Sequence, residues 1–429
     1  MRAVLTNFGT TGDVQPFLAL AVELARNGHQ PLVALSPYFE NWVKRMGLEF
    51  VSIGEDLSSA QREINAAMIE GEQTAERLHE LFGALRTSLP RAYAELLEVC
   101  RGADALICGP VQPAGKMVHE VTGIPFVSVQ VANFGGGGTH PFQRATQSFI
   151  NPFRAQMGLP PLRDPLTVDA NSSQLALYAV SRYLYPPPAN RPGHYHVVGY
   201  FFLDDEKWQP DSSLLNFLEA GEPPVVVTFG STTYNDSGKV AEKVIEAINT
   251  IGCRAIIQHG WSGLAQGLTL PPNILTVGVV PHEWLFARAA CIVHHGGAGT
   301  AASVFRAGIP SVFVTHAGGQ PLRARLAHEL GCSGPAVPYQ GLSAARLAAA
   351  IQEILSNQNY RQAALALSEK IRTEQGVKRA RLLIEQLVHR MGLCADDDGA
   401  DGSSVARNQT ERLRRRNVYI QKRRPKPLV

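Results

Sequence analysis

The sequence contains few cysteines and no long apolar run, and both features limit the classes of protein to which it can belong. Its 429 residues include six cysteines without any Cys-x-x-Cys spacing, so neither a zinc site nor a disulfide framework is indicated. No stretch approaches the roughly 20 apolar residues that a membrane-spanning helix needs. The first residues lack the charged, apolar and small-residue regions of a signal peptide. We therefore expect a cytoplasmic protein, with at most peripheral membrane contact.

Charge is also scarce, and it is unevenly distributed. Charged residues make up 18% of the chain, and the formal net charge is +3. Residues 407–429 hold nine basic residues and one glutamate, a net charge of +8, so residues 1–406 carry −5. A mildly acidic body argues against a nucleic-acid enzyme. The basic tail could engage anionic lipid or nucleic acid, although a solvated, disordered extension is the simpler interpretation.

The chain is longer than a single hydrophobic core usually supports, which favours two domains. Apolar runs bounded by glycine or proline alternate with segments of helical period, the pattern of parallel strands joined by crossover helices. The predicted strands are Ala3–Phe8, Gln30–Leu35, Ala105–Cys108, Pro125–Val131, Pro224–Phe229, Arg254–Gln258, Ile274–Val277, Cys291–His294 and Ser311–Val314. The predicted helices are Pro16–Asn27, Ala60–Cys100, Ser237–Ile251, Thr300–Ala307, Leu322–Leu330, Ser343–Leu355 and Tyr360–Leu393.

The fold class predicted from this alternation is α/β, with two Rossmann-like doubly wound domains facing a cleft. Residues 184–223 are rich in proline and interrupt the pattern. We expect an N-terminal domain at 1–200, a linker at 201–220, a C-terminal domain at 221–393 and a disordered basic tail at 394–429.

A glycine-rich turn in the second half carries the clearest chemical signal. The strand Cys291–His294 passes into His295-Gly296-Gly297-Ala298-Gly299, and Thr300 then opens a helix. Glycines allow backbone N–H groups to approach an anion closely, and a helix N-terminus favours a phosphate. The histidines can add a hydrogen bond or a positive charge. Thr300 can cap the helix or bind a phosphate oxygen. A glycine cluster alone would equally fit a simple turn.

Two further turns follow apolar strands. Gly230-Ser231 follows the first strand of the second half, at the edge of a parallel sheet where ligands bind. In the first half, Phe8-Gly9-Thr10-Thr11-Gly12 leads to Asp13 at a probable helix start. Asp13 is either an N-cap or, because it lies at the mouth of a cleft, a general base.

Together these segments resemble the inverting glycosyltransferases of GT-B fold, particularly their sterol-glucosyltransferase-like and antibiotic-aglycone branch. The resemblance covers residues 1 to about 390. It rests on the ordered motifs Thr6–Pro16, Val198–Leu203, Thr228–Ser231, Val280–Leu285, His294–Thr300 and Ala307–Pro310.

The resemblance implies a hexose transfer from a UDP- or TDP-sugar to a hydroxyl of a lipophilic acceptor, with inversion and with Asp13 as the base. The acceptor would be a sterol-like lipid or a polyketide aglycone, and neither a metal nor a cofactor is expected. Val280-Pro281-His282 would contact the nucleotide base, largely through the backbone. The implied donor-binding residues are Gly12, Gly230, Ser231, Val280, His282, His294, His295, Gly297, Gly299, Thr300 and Gln320.

The sequence departs from the family pattern at two positions. Gly319-Gln320 stands where relatives carry Asp-Gln or Glu-Gln, so one contact to the donor sugar is missing. Ala302 stands where the plant branch places a glutamate on the ribose. The first departure weakens the assignment of glucose as the donor sugar.

Several competing interpretations remain open. A cell-envelope lipid glycosyltransferase of the same fold and a non-catalytic nucleotide-sugar binder are the alternatives. A sugar-nucleotide 2-epimerase shares the fold but would need additional carboxylates around the sugar, and the sequence offers none that can be placed there. His282 and His316 are given no catalytic role. Asp396-Asp397-Asp398 matches an Asp-x-Asp metal motif but is placed in the tail beyond the last predicted helix. Gly135–Gly138 is either a flexible loop or an acceptor-side lid.

Overall fold

A computed structural model describes residues 1–70, 75–131, 140–204 and 208–397. By their internal contacts the residues form two compact units, Met1–Leu383 and a unit that begins at Ile384. Both β-sheets and all the residues discussed as a site lie in the first unit.

The first sheet has seven parallel strands in the order β3-β2-β1-β4-β5-β6-β7. Its strands are β1 (Arg2–Thr6), β2 (Gln30–Leu35), β3 (Glu49–Ser52), β4 (Ala105–Cys108), β5 (Phe126–Gln130), β6 (Leu175–Tyr178) and β7 (Tyr195–Val197). The accompanying helices are α1 (Thr11–Arg26), α2 (Glu40–Arg45), α3 (Ser58–Glu70), α4 (Ala75–Leu81), α5 (Gly83–Val99), α6 (Pro113–Thr122) and α7 (His140–Gln156).

The second sheet has six parallel strands in the order β10-β9-β8-β11-β12-β13. Its strands are β8 (Val225–Thr228), β9 (Ala255–Gln258), β10 (Ile274–Val277), β11 (Cys291–His294), β12 (Ser311–Thr315) and β13 (Val337–Pro338). The helices of this half are α8 (Ser212–Glu219), α9 (Ser237–Ile251), α10 (His282–Phe286), α11 (Ala298–Ala307), α12 (Gln320–Glu329), α13 (Ala344–Ser356), α14 (Gln358–Arg372) and α15 (Gly376–Asp397).

The central strands are almost continuously apolar because helices cover both faces of each sheet. Every residue of β4, β8 and β11 is buried. Strands of this kind show uninterrupted apolar runs rather than alternation, which is why the sequence pattern reveals them. The α/β class and the two parallel sheets predicted from the sequence are confirmed.

Sequence reasoning missed the strands β3, β6, β7 and β13 and the helices α2, α6, α7, α8 and α10. β3 is only partly buried, and β13 has two residues, so neither produces a clear apolar run. The helix expected over Ala60–Cys100 is divided into α3, α4 and α5.

The proline-rich region contains regular structure that was not predicted, and the prediction of one continuous last helix was wrong. The expected linker at 201–220 contains α8, whose N-terminus is capped by Asp211 accepting the N–H of Leu214 at 2.8 Å, and the proline-rich region before it contributes β7. The helix expected over Tyr360–Leu393 is interrupted after Arg372. There the chain crosses the backbone of Tyr200 so closely that a Cβ on Gly376 would lie within 2.4 Å of the Tyr200 oxygen.

Within the described ranges, no helix is both long enough and apolar enough to cross a membrane.

Candidate active site

In each sheet the strand order reverses once, and the candidate site residues lie at these two switch points. In the first sheet the change falls between β1 and β4, and in the second between β8 and β11. Doubly wound sheets bind ligands outside the carboxyl ends of the strands at such a point. Asp13 follows β1, whereas Gly230 and His295 follow β8 and β11. The topology therefore brings the predicted catalytic and donor residues to two facing sheet edges.

Asp13 is the third residue of α1, and Thr10 is the N-cap of that helix. The interpretation of Asp13 as the N-cap itself was therefore wrong, although its carboxylate does support the helix start. Its Oδ2 accepts the backbone N–H of Thr10 at 2.8 Å and the Thr10 hydroxyl at 2.9 Å. Neither bond uses Oδ1, which is left available to accept a proton from a substrate hydroxyl.

Burial raises the pKa of Asp13 above its ordinary value of 3.8, although the two hydrogen bonds from Thr10 act against this shift. A carboxylate with a raised pKa is a stronger base than an exposed one. Gly9 makes the arrangement sterically feasible. Its φ is +132°, and a Cβ there would lie 2.4 Å from Asp13 Oδ2, so a side chain at this position would displace the carboxylate.

An apolar cavity opens beside Asp13 in the first half. It encloses about 960 Å³ including its open mouth. The apolar residues of its wall come mainly from the loop after β3 and from α3, α5 and α7. They include Ile53, Leu57, Ile64, Phe82, Leu85, Leu89, Ala92, Phe142 and Phe149. The few polar groups among the lining residues include Asp13, Ser88 and Gln112. This composition suits a lipophilic molecule with a hydroxyl directed at Asp13.

The second half contributes a compact set of four residues from β8, β11 and α11. A Cβ on Gly297 would lie 2.2 Å from His295 Nε2, and one on Gly230 would lie 3.0 Å from His295 Cε1 and 3.6 Å from Thr300 Oγ1. The two glycine turns singled out in the sequence thus both pack against the His295 imidazole. Gly297 is the N-cap of α11, and Thr300 is the third residue of the helix. The suggestion that Thr300 caps this helix was therefore wrong.

His294 and His295 are neutral at physiological pH. Burial lowers the pKa of His294 to about 3 and that of His295 well below its ordinary value, and neighbouring positive charge lowers both further. His294 Nδ1 accepts the N–H of Gly296 at 3.2 Å, which leaves Nε2 without a partner among the described residues. His295 Nδ1 also lacks a partner among them. Of the two roles expected for these residues, the hydrogen bond fits this environment and the positive charge does not.

The segment after β10 is held by a buried glutamine. Gln258 donates from Nε2 to the carbonyl of Val280 at 2.9 Å and accepts the hydroxyl of Thr228 at 2.9 Å. His282 begins α10 and stacks on Phe286 with ring centroids 4.4 Å apart, and burial lowers its pKa to about 4. The backbone at Val280 is thus positioned at the same sheet edge, while the His282 ring packs against the helix.

Gln320 and Gly319 lie at the start of α12, beside the glycine turn. Gly319 is the N-cap of this helix, and Gln320 accepts the N–H of His316 at 2.8 Å through its side-chain oxygen. That bond uses only the side-chain oxygen of Gln320 and not its NH₂ group. Ser231 follows Gly230 directly and is partly buried at the same edge.

The two halves touch across the cleft near these residues. Trp261, which follows β9, lies with its ring centroid 6.0 Å from that of Tyr38 and 5.4 Å from the guanidinium carbon of Arg62. Thr233 donates its hydroxyl to the carbonyl of Arg62 at 2.9 Å. Trp261 also lines a small recess with Phe8 and Gly9, next to the apolar cavity. A residue of the second half therefore contributes to the recess beside the cavity.

The glycine run at 135–138, the basic tail and the acidic run at Asp396 were named as features of the sequence. Gly135–Gly138 and residues 398–429 lie outside the described residues. The acidic run beginning at Asp396 was expected beyond the last helix, but α15 extends through Asp397. In the described part of the chain, no group of three or more His, Cys, Asp or Glu side chains is placed to hold a metal ion.

Four contributors were not found by sequence reasoning. They are Gly9, Gln258, Trp261 and Arg323. Gly9 belongs to a turn that was recognised, and its role depends on the approach of Asp13. Gln258 ends β9, Trp261 follows that strand and Arg323 lies on α12, all without a distinctive local pattern, so only the fold reveals them.

Comparison with known proteins agrees with this geometry. Residues 3–134 match the glycosyltransferase family 28 N-terminal domain, and residues 242–376 match the erythromycin biosynthesis protein CIII-like C-terminal domain. The chain is 30% identical to a sterol 3-beta-glucosyltransferase of Arabidopsis thaliana, over 89% of this chain and 67% of that protein. It is 29% identical to the sterol 3-beta-glucosyltransferase of Pichia angusta, over 91% of this chain and 33% of that protein. It thus spans about a third of the length of the yeast relative.

Solved structures show the same architecture. The kitacinnamycin glycosyltransferase superimposes with a TM-score of 0.71 at 18% identity, covering 90% of this chain and 99% of that one. The calicheamicin glycosyltransferase CalG4 superimposes with a TM-score of 0.69 at 20% identity, and the match covers 91% of this chain and 98% of that one. The fold is therefore GT-B. The chain belongs to the glycosyltransferase family that includes the sterol 3-beta-glucosyltransferases.

Proposed function

We propose that this protein is an inverting hexosyltransferase that moves a hexose from a UDP- or TDP-sugar to a hydroxyl of a lipophilic small molecule. The observation that carries the proposal is the position of Asp13. Its carboxylate lines the apolar cavity, and the adjacent Gly12 faces Gly299 at the N-terminus of α11. A base, an acceptor cavity and an anion-binding helix end thus meet at one place.

The proposed acceptor is a sterol-like lipid or a polyketide aglycone. The apolar wall of the cavity supports this class, as do relatives named as sterol 3-beta-glucosyltransferases and a structure of the spinosyn rhamnosyltransferase SpnG with spinosyn aglycone. We also propose that residues 1–200 form the acceptor domain and residues 221–393 the donor domain.

The reaction is a single in-line displacement at the anomeric carbon. Asp13 Oδ1 takes the proton of the acceptor hydroxyl, whose oxygen forms the new bond to the anomeric carbon while the bond from that carbon to the diphosphate oxygen breaks. The departing diphosphate carries the negative charge. N–H groups at the start of α11 and the partial positive charge of the helix stabilise it, and the neutral His294 and His295 contribute hydrogen bonds. These groups can act without a metal ion.

The donor residues we assign are those that surround this helix end. Val280 would bind the nucleotide base through its backbone together with His282, and Gln320 would bind the sugar. The remaining assigned residues contact the diphosphate: Gly12, Gly230, Ser231, His294, His295, Gly297, Gly299 and Thr300. VinC and SpnG structures with thymidine diphosphate make TDP as reasonable a donor nucleotide as UDP.

We place the enzyme in the cytoplasm, with peripheral membrane contact when its acceptor is a lipid. The five cysteines whose side chains are described are free thiols, the usual state in a reducing compartment.

A donor panel tests the proposal. Purified protein is incubated with UDP-glucose, TDP-glucose and a TDP-deoxy sugar, each with a sterol or a phenolic acceptor, and nucleoside diphosphate release and product mass are measured. We expect release together with a β-linked product from at least one α-linked donor. A product that retains the donor's anomeric configuration would contradict inversion. Binding of nucleoside diphosphate without turnover of any donor would show a non-catalytic binder.

A cell-envelope lipid glycosyltransferase is the second candidate, because the same fold would serve a lipid-linked acceptor. Adding a polyprenyl phosphate acceptor in vesicles to the panel separates the two. Product formed there, and with neither sterol nor phenol, would replace the first proposal by the second.

A further inference from the structure

Two arginines are buried in the described part of the chain, and they differ in their partners. Arg154 has no exposed side-chain surface and binds Glu120, with Nη1 2.7 Å from Oε2 and Nη2 3.3 Å from Oε1. Arg323 is 5% exposed and has no carboxylate within 4 Å among the described residues. Burying an unpaired guanidinium is costly, so such a residue requires an explanation.

Arg323 lies on α12 and reaches back beneath the glycine turn. Its Nη1 donates to the carbonyl of Gly296. In a trans peptide the carbonyl and the following N–H point in opposite directions. The bond therefore directs the N–H of Gly297, the N-cap residue of α11, away from Arg323.

The positive charge of Arg323 shifts the pKa values of neighbouring side chains. It adds to burial in lowering the pKa of both His294 and His295. It also opposes the rise that burial causes in the pKa of Tyr185. Because the histidines stay neutral and the candidate donor residues include no lysine or arginine, the remaining positive potential at the turn is that of the α11 N-terminus.

We propose that Arg323 is the fixed counter-charge of the donor's diphosphate, acting from beneath the Gly296–Gly297 peptide that it orients. The inference rests on the proposed function, since it concerns the same diphosphate. Arg323 is a positioning residue that contributes charge through a low-dielectric turn without displacing the glycines that touch the ligand. In the unliganded protein the charge is uncompensated, and binding of the diphosphate supplies its partner.

The test separates the charge of Arg323 from its packing. Arg323→Gln removes the charge and keeps a donor for Gly296, Arg323→Lys keeps the charge, and Arg325→Met is the matched control. Arg325 lies two residues away on the same helix, has a side chain 67% exposed and pairs with Glu329. Affinities for the preferred nucleoside diphosphate and for the corresponding free nucleoside are measured by calorimetry and by ligand competition.

We expect Arg323→Gln to lower the affinity for the nucleoside diphosphate by at least about tenfold. The affinity for the free nucleoside should stay within about twofold of the wild-type value. Arg323→Lys should recover a large part of the loss, and Arg325→Met should bind both ligands as wild type does. The melting temperature of unliganded Arg323→Gln should equal or exceed that of wild type, because a buried unpaired charge is removed.

The inference would be overturned if Arg323→Gln lowered the affinities for both ligands equally, or lowered neither affinity. So would the same loss in Arg325→Met, which would show a long-range charge effect. If Arg323→Gln fails to fold, the Arg323→Lys ratio of diphosphate to nucleoside affinity decides: a ratio near wild type supports the charge, and a collapsed ratio contradicts it. Failure of the wild-type protein to bind UDP or TDP would instead count against the proposed function.

Discussion

A Cβ built on Gly299 would lie 3.9 Å from the Cα of Gly12. Gly299 is in the first turn of α11 and Gly12 in the first turn of α1, so the N-termini of two helices from different sheets meet at the cleft. The partial positive charge of both helix ends is directed into the same space. Asp13, adjacent to Gly12, brings the carboxylate that a hydroxyl acceptor requires.

Asp13→Asn should abolish most of the activity without preventing donor binding. The amide preserves the shape and a hydrogen-bonding oxygen, but it cannot accept the substrate proton, so turnover should fall by a factor on the order of 10² to 10⁴. Asp211→Asn is the matched control, because Asp211 caps α8 and is not part of the site. Turnover within about twofold of wild type in Asp13→Asn would leave Asp13 with only its role in the start of α1.

The raised pKa of Asp13 gives two pH dependences. Activity should rise with pH through a value above 3.8, since only the ionised carboxylate is a base, and Asp13→Asn should lack this limb. Stability should change in the opposite sense. A carboxyl with a raised pKa in the folded state favours folding at low pH, and this contribution is lost as pH rises through the folded pKa. The melting temperature of Asp13→Asn relative to wild type should therefore increase from about pH 4 to pH 7. A constant difference would argue against the buried carboxyl.

Gly297→Val should eliminate nucleoside diphosphate binding in a protein that still folds. A Cβ at this position would be 2.2 Å from His295 Nε2, so the imidazole must move out of its place between the two glycine turns. Gly193→Ala, where a Cβ meets nothing within 4 Å, is the control for adding a side chain to a glycine. Circular dichroism establishes folding and calorimetry measures binding. Unchanged affinity in folded Gly297→Val would remove this turn from the donor site.

Gly319→Asp should improve the use of a glucose donor. A carboxylate here would accept hydrogen bonds from sugar hydroxyls, each worth roughly 1–3 kcal/mol. Because Gly319 is the N-cap of α12, aspartate would also strengthen the helix, and Gly319→Asn separates this capping effect from the charge. The measurement is kcat/KM for glucose and deoxy-sugar donors. Loss of activity with the native donor would indicate a sugar lacking a hydroxyl, whereas no change with either would show that position 319 does not face the sugar.

Trp261→Ala should raise the KM for the acceptor while leaving nucleoside diphosphate affinity within about twofold of wild type. The ring contacts Tyr38 and Arg62 across the cleft and lines the small recess that shares Phe8 and Gly9 with the apolar cavity. Trp284→Ala is the control, because Trp284 packs against Trp208, with ring centroids 5.1 Å apart. A weakened diphosphate affinity with an unchanged acceptor KM would place Trp261 in the donor site instead.

The sequence alone determined the α/β class and the chemistry expected at the ends of the strands. Buried parallel strands are continuous apolar runs, so β2, β4, β10 and β11 were predicted with the same bounds that the structure has. Glycine turns after such strands have a backbone signature that is local, which is why Gly230 and Gly297 could be singled out.

Tertiary structure decided everything that depends on distance between segments. The crowding of Gly230 and Gly297 around His295, the approach of Gly9 to Asp13 and the contact of Trp261 with Tyr38 join residues from different strands and loops. The neutrality of the histidines follows from their burial, which their sequence context does not reveal. Arg323 is the clearest case. In the sequence it is one of several basic residues in a polar helix, and only packing places its guanidinium under the turn of Gly296, out of water.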